Sequence, residues 1–259
     1  MNYENRVCCF IDILGFKNHI DETITKSGED NIKKIKSIVS ILALSQKMTD
    51  NIGCSESKVT TYFSDSIVIS YKYNEPSQLF HTLLDLLYVA FELASNGFLT
   101  RGGVSIGKLL HNSNYIFGPA LIDAYKIESE TAKSPRIIVS EEVIKIGTEF
   151  TEHEHTKDEE FQHIKGIVTK DDDGLYFIDY ISKSSTEFDD PIIGLYEYIE
   201  KLKELFFKNY AKEDEKTQEK LNWLKSKLNT YITEIKENLN PNNHSREIVN
   251  LYSNLKEIK

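Results

Sequence analysis

This chain of 259 residues has only three cysteines, two of them adjacent as Cys8 and Cys9, too few for a disulfide framework. Neighbouring strand residues point to opposite faces, so both thiols are expected to pack as small apolar groups in a reducing cytoplasm. Long apolar runs are also missing. The most apolar stretch, LLDLLYVAFELA, is interrupted by Asp85 and Glu92, which excludes it as a membrane span. The opening MNYENR carries an acid and no apolar core, unlike a secretory leader. Basic residues are in deficit: 31 Lys and Arg against 41 Asp and Glu, a net charge of −10. That balance argues against a binder of nucleic-acid polymer or anionic membrane. A nucleotide substrate stays open, because a local basic pocket with metal ions outweighs a distant negative surface. RGGVSIG lacks the G-x-x-x-x-G-K-[ST] spacing of a phosphate loop, and no helix follows it. Its glycines are expected instead to admit close approach of another backbone. Internal repeats and low-complexity linkers are absent too.

What remains is an ordinary globular composition, 40% hydrophobic and 28% charged, sized for one large domain or a domain plus an appendage. Residues 6–14 read as a buried strand ended by Gly15, and a helix is expected over about 29–50. Lys58 to Tyr73 reads as a hairpin. Leu79, Leu83, Leu86, Leu87, Ala90 and Leu93 recur at helical spacing after Pro76, and Asn96-Gly97 stops that helix. LTRGGVSIGKLLH and YIFG read as paired strands, with Pro119 opening a helix through ALIDAYKIESETAK. RIIV is a further strand, and a hairpin is centred on DDDG. From Ile192 the chain reads as amphipathic helices interrupted by NPNN. Hairpins mixed with helices predict an α+β fold, a mostly antiparallel sheet covered by helices. A catalytic domain is expected over residues 1–185 and a helical extension over 186–259.

Two carboxylates stand in costly surroundings. Asp12 lies inside VCCFIDILGF, on the strand face shared by Cys8, Phe10 and Leu14. Asp65 lies between the two strands of VTTYFSDSIVISY. A carboxylate in such a place must neutralise, pair with a cation or bind a metal. The plainer readings are a structural ion pair for Asp12 and a turn residue for Asp65.

FIDILGF, FSDS, RGGVSIGK, IFGPALIDAYKIE and IKG, in that order, resemble the catalytic domain of class III nucleotidyl cyclases over about residues 5–182. FIDILGF and RGGVSIG are similar to the wording of the Pycsar antiphage pyrimidine cyclases, whose cyclic UMP or cyclic CMP activates an effector protein. The resemblance implies a ferredoxin-like core and two divalent cations, Mn²⁺ or Mg²⁺. It implies Asp12 and Asp65 as metal ligands, with the carbonyl of Ile13. It puts the amides of Leu14, Gly15 and Phe16 toward the triphosphate, and Lys108 and Lys165 on phosphates. Lys126 falls on the transition-state arginine.

Ile122 stands where the family often has a ribose-contacting asparagine. Thr61 and Tyr115 match the positions that read adenine in purine cyclases through a lysine and an aspartate. A tyrosine narrows a base pocket, hence the expectation of a pyrimidine, UTP before CTP. The resemblance also implies a homodimer whose sites are shared: Asp12 and Asp65 from one subunit face Lys126, Thr61 and Tyr115 of the other. A cyclase-fold module without turnover is the alternative that Ile122 and Lys126 motivate. Lys126 also suits an i,i+4 pair with Glu130. Arg101 reads as a structural ion-pair partner. His153 and His155, in TEHEHTKDEE, read as a solvated loop more readily than as a metal site.

Overall fold

The computed structural model describes residues 2–49, 56–152, 155–184, 188, 190–210, 215–240 and 245–259. The chain divides into two compact units, Met1–Asp179 and Tyr180–Lys259. The expected boundary at 185/186, His153 and most of NPNN lie outside the described residues.

The first unit runs β1 Glu4–Ile13, α1 Phe16–Asp21, α2 Ile32–Thr49, β2 Val59–Phe63, β3 Ser66–Lys72, α3 Gln78–Ser95, β4 Thr100–His111 and β5 Ile116–Phe117. It continues with α4 Pro119–Lys126, a π turn at Ile127–Thr131, β6 Ile137–Val139, α5 Glu141–Gly147, α6 Lys157–Lys165, β7 Val168–Lys170 and β8 Tyr176–Ile178. The sheet order is β2-β3-β1-β4-β6-β8-β7, with β5 paired to β4. Every pairing is antiparallel except β4 with β6. The architecture is α+β with a mostly antiparallel sheet.

Strand parity sorts β1 onto two faces. Cys8 and Phe10 pack with Val68, Leu109 and the α4 residues Ala120 and Ala124. Ile13 faces the other way, into Ile38 and Ile41 of α2, Val89 and Leu93 of α3, and Phe98. The leucine stripe of α3 is buried at all five of its leucines, each worth about 1.5–3 kcal/mol of transfer free energy. Helix α3 starts at Gln78, one residue after Ser77 in the left-handed region at φ 49°.

The glycines of β4 bring α4 directly onto the sheet. A Cβ on Gly103 would stand 2.6 Å from Ile127 Cβ and would also strike the carbonyl of Ala124. A Cβ on Gly107 would meet Ala120 Cβ at an ordinary 3.5 Å. Gly103→Ala is therefore expected to lower stability by about 1–3 kcal/mol, at the upper end because backbone must move. Gly107→Ala should leave the thermal midpoint nearly unchanged. Equal midpoints for the two variants would refute this account of the packing.

Two segments depart from the sequence reading. The acidic stretch expected as a solvated loop contains α6. The Thr156 hydroxyl accepts from the Glu159 amide and the Glu159 carboxylate accepts from the Thr156 amide, a capping box that starts the helix. The helix expected from 120 to 133 is α-helical only to Lys126 and then widens into the π turn.

The second unit holds α7 Pro191–Tyr210, α8 Glu215–Glu237 and α9 Arg246–Ser253. Helices α7 and α8 pack together. Asn229 pins the chain end by donating to the Ile258 carbonyl at 2.9 Å and accepting from its amide at 2.8 Å. Among the described residues, no helix is long and apolar enough to cross a membrane.

Candidate active site

The site is built where β1 ends beside the β2–β3 hairpin. Phe63 pairs with Ser66, leaving Ser64 and Asp65 as a two-residue loop, with Ser64 at φ 56°. Ser66 in turn lies opposite Asp12 on β1, and Arg101 of β4 lies opposite Asp12 on the other side. The register thus brings the two acids together. Asp65 stands close enough to Asp12 for its charge to raise the Asp12 carboxyl. The Ser66 hydroxyl donates to Asp12 Oδ1 at 3.3 Å.

A third carboxylate joins them. Glu128, on the π turn, is buried, and its Oε1 forms an ion pair with Arg101 Nε. Arg101 Nη2 stands 3.8 Å from Asp12 Oδ2. One guanidinium therefore serves Asp12 and Glu128. Burial first, then the charges of Asp65 and Glu128, push the Asp12 carboxyl up to about 7 from an ordinary 3.8, while Arg101 pulls it back. Three carboxylates against one cation leave a deficit of positive charge. An all-oxygen donor set of this kind matches Mg²⁺ or Mn²⁺ in preference to softer metals. Neither Glu128 nor Arg101 was placed in the site by the sequence reading. The available signal was the i,i+4 stripe Ala120, Ala124, Glu128, which runs from buried alanines into a buried acid.

Ile13 has its side chain in the core beneath α2 and α3, so only its main chain is available to a ligand. The Leu14 amide donates to the Leu99 carbonyl at 2.7 Å. That corrects the expectation that it faces a triphosphate. Gly15 takes a left-handed φ of 73° to start α1, and the Phe16 ring packs on the Ile13 cluster. Lys126 is exposed at the end of α4.

Lys108 pairs with Asn5, so it lies on the face opposite Asp12. It is seven residues along β4 from Arg101, about 23 Å at strand rise. The β4 register therefore removes Lys108 from the carboxylates of its own chain. Lys165 ends α6, its Nζ 4.6 Å from the Phe161 ring centroid. The strand it precedes is the sheet edge, four strands from β1 and about 19 Å away.

Thr61 meets His111 instead. Thr61 Oγ1 lies 2.9 Å from His111 Nε2, and the Ser70 hydroxyl lies 2.8 Å from Nδ1. Burial, helped by Arg6, holds the imidazole down at about 4, hence neutral near pH 7. Tyr115 closes the β4–β5 turn through its amide, which donates to Asn112 Oδ1 at 2.9 Å, and its ring is exposed.

No protein-family model and no curated protein matches this chain. Among solved structures it is similar to a bacterial light-regulated adenylyl cyclase, with 18% identity over 56% of this chain and 45% of that one, at a TM-score of 0.42. The chain thus spans less than half the length of that enzyme. It is also similar to the adenylyl cyclase CyaB from P. aeruginosa, with 12% identity over 68% of this chain and 94% of that one, at a TM-score of 0.48.

Proposed function

We propose that this chain is a divalent-metal-dependent nucleotidyl cyclase acting on a pyrimidine nucleotide, UTP in the first instance. The ribose 3′-hydroxyl loses its proton and attacks the α-phosphorus; the bond to the β-phosphate oxygen breaks, giving 3′,5′-cyclic UMP and pyrophosphate. The observation that carries the reading is the strand register that brings Asp12 beside the Ser64-Asp65 turn, with Glu128 tied in through Arg101.

In this reading Asp12, Asp65 and the Ile13 carbonyl hold two ions. When bound, these supply positive charge that favours the 3′-alkoxide and neutralises the leaving group. Glu128 acts through Arg101, fixing the guanidinium beside Asp12. The amides of Gly15 and Phe16, free of the Leu14 contact, meet phosphate oxygens. Lys126 meets charge that develops at the α-phosphate. It is a point charge where the family's arginine is a fork, so it holds that charge less rigidly. Lys108 and Lys165, each far from the carboxylates of its own chain, take no part in this reading within one subunit. Thr61, His111 and Tyr115 form the base-reading group, with His111 as a neutral imidazole of fixed orientation.

The proposal includes a homodimer. Phe63, Tyr115, Phe117, Ile122 and Tyr125 are large and exposed on the hairpin tip, the β4–β5 arm and α4. Tyr125 stacks edge-on against Phe10, which places α4 on the Asp12 face of the sheet. Exposed large apolar side chains on these three elements suit a self-complementary interface. The product is read by a separate effector in antiphage signalling, and the enzyme works in the cytoplasm.

The test is the product formed from an equal mixture of ATP, GTP, CTP and UTP with Mn²⁺. Cyclic UMP is expected to dominate. Cyclic CMP would shift the assignment to cytidylate, and a purine product would overturn the pyrimidine reading. No cyclic product from any of the four would leave a nucleotide-binding module without turnover, the reading that Ile122 and Lys126 motivate.

A further inference from the structure

Outside the carboxylate site, His155, Glu160 and His163 bring one ligand atom each to within 4.8 Å of one another. Glu160 and His163 are three residues apart on α6, so they share a helix face. His155 precedes the helix cap. The two imidazole rings lie 5.1 Å apart at 72°.

Glu160 is fully buried. Its Oε2 accepts from the Ser77 hydroxyl at 2.9 Å, while its Oε1 is buried without a hydrogen-bond partner. The one basic group paired with it among the described residues is His155, whose Nδ1 is 3.7 Å from Oε2, too far for a hydrogen bond. That Nδ1 is likewise buried and unpartnered. A sealed carboxylate with an open lone pair, facing an imidazole with an open nitrogen, is an arrangement that a cation completes.

We infer that these three residues form a second metal site, suited to Zn²⁺. Two imidazoles and one carboxylate are the donor set of a tetrahedral zinc with one position left for water, whereas Mg²⁺ and Ca²⁺ select oxygen alone. Around a tetrahedral zinc the donor atoms stand about 3.4 Å apart, so no pair in the cluster need close by more than about 1.4 Å on binding. The Ser77 hydroxyl orients the carboxylate from behind, as outer partners of metal ligands do. The ion would tie three segments together. Ser77 starts α3, its amide donates to the Phe150 carbonyl, its hydroxyl also accepts from the Glu152 amide, and Glu160 and His163 lie on α6. Helix α3, about 27 Å long, separates this cluster from Leu99, which holds the chain just past Asp12. The two donor sets therefore share no ligand.

The experiment uses the full chain, stripped with chelator and titrated with Co²⁺ as the spectroscopic stand-in for zinc. One equivalent should produce the intense visible bands of tetrahedral cobalt, and Zn²⁺ should erase them. His163→Ala removes an exposed ring and should leave the far-ultraviolet spectrum intact while weakening Zn²⁺ binding at least about 100-fold. Asp12→Asn should keep the bands, because the all-oxygen site gives only weak absorption. Tight Zn²⁺ binding retained in both His163→Ala and His155→Ala, or cobalt bands lost in Asp12→Asn, would overturn the assignment.

Discussion

Asp12→Asn is expected to lower turnover about 10²–10³-fold, the usual cost of losing one group that organises transition-state charge, and yet to raise the melting temperature of the metal-free protein at pH 8. Both effects have one cause. In the unfolded chain the carboxyl titrates near 3.8; in the folded site burial, Asp65 and Glu128 keep its proton on up to about 7. Between those values the folded state holds a proton that the unfolded state has released. Stability therefore falls as pH rises through this window, and the penalty is complete above it. Asparagine mimics the neutral form and escapes the penalty, but offers a weaker ligand.

The same reasoning fixes how the wild type responds to metal. A divalent ion replaces the proton that Asp12 would otherwise need, so Mn²⁺ should raise the wild-type melting temperature more at pH 8 than at pH 5.5. The variant should respond less at both. The measurement is thermal unfolding of both proteins at the two pH values, with chelator and with Mn²⁺. A variant less stable than wild type in chelator at pH 8 would show that Asp12 is a structural ion-pair member, its charge already satisfied by Arg101.

These expectations rest on residues that the sequence exposed to different degrees. Asp12 and Asp65 were legible because each interrupts a run whose pattern is plain, one apolar and one alternating. Their meeting needed the β1–β3 register, which no local pattern carries. Glu128 was hidden for another reason. In IESET it reads as one acid of a solvated helix, and only the π turn packed against Gly103 buries it. Lys108 shows how a motif misleads without a register. It is an odd number of residues from Arg101, so parity puts it on the other face once β4 is known to run straight through both. Helix α6 was legible in principle, since Thr156 and Glu159 have capping-box spacing, but the charge of the segment masked it.

Mixing Asp65→Ala with Lys126→Ala protein is expected to restore about a quarter of wild-type activity from two inactive samples. Random reassortment of equal amounts makes half the dimers mixed, and each mixed dimer carries one site with both defects and one with neither. The expectation depends on Lys126 serving the partner's carboxylates, and its exposure supports that. Lys126 is exposed at the last residue of α4, while Glu128, two residues on in the π turn, is buried. Glu128 points inward to Arg101, whereas Lys126 faces solvent. It shares its exposed side with Ile122 and Tyr125, the apolar residues of α4 assigned to the dimer contact. Chromatography must first show that the mixture exchanges subunits, with a tagged copy of one variant carrying the other through a column. If mixed dimers form and activity stays at background, Lys126 acts within its own chain or not at all. The inward-pointing Arg101 then becomes the cation that faces the phosphates.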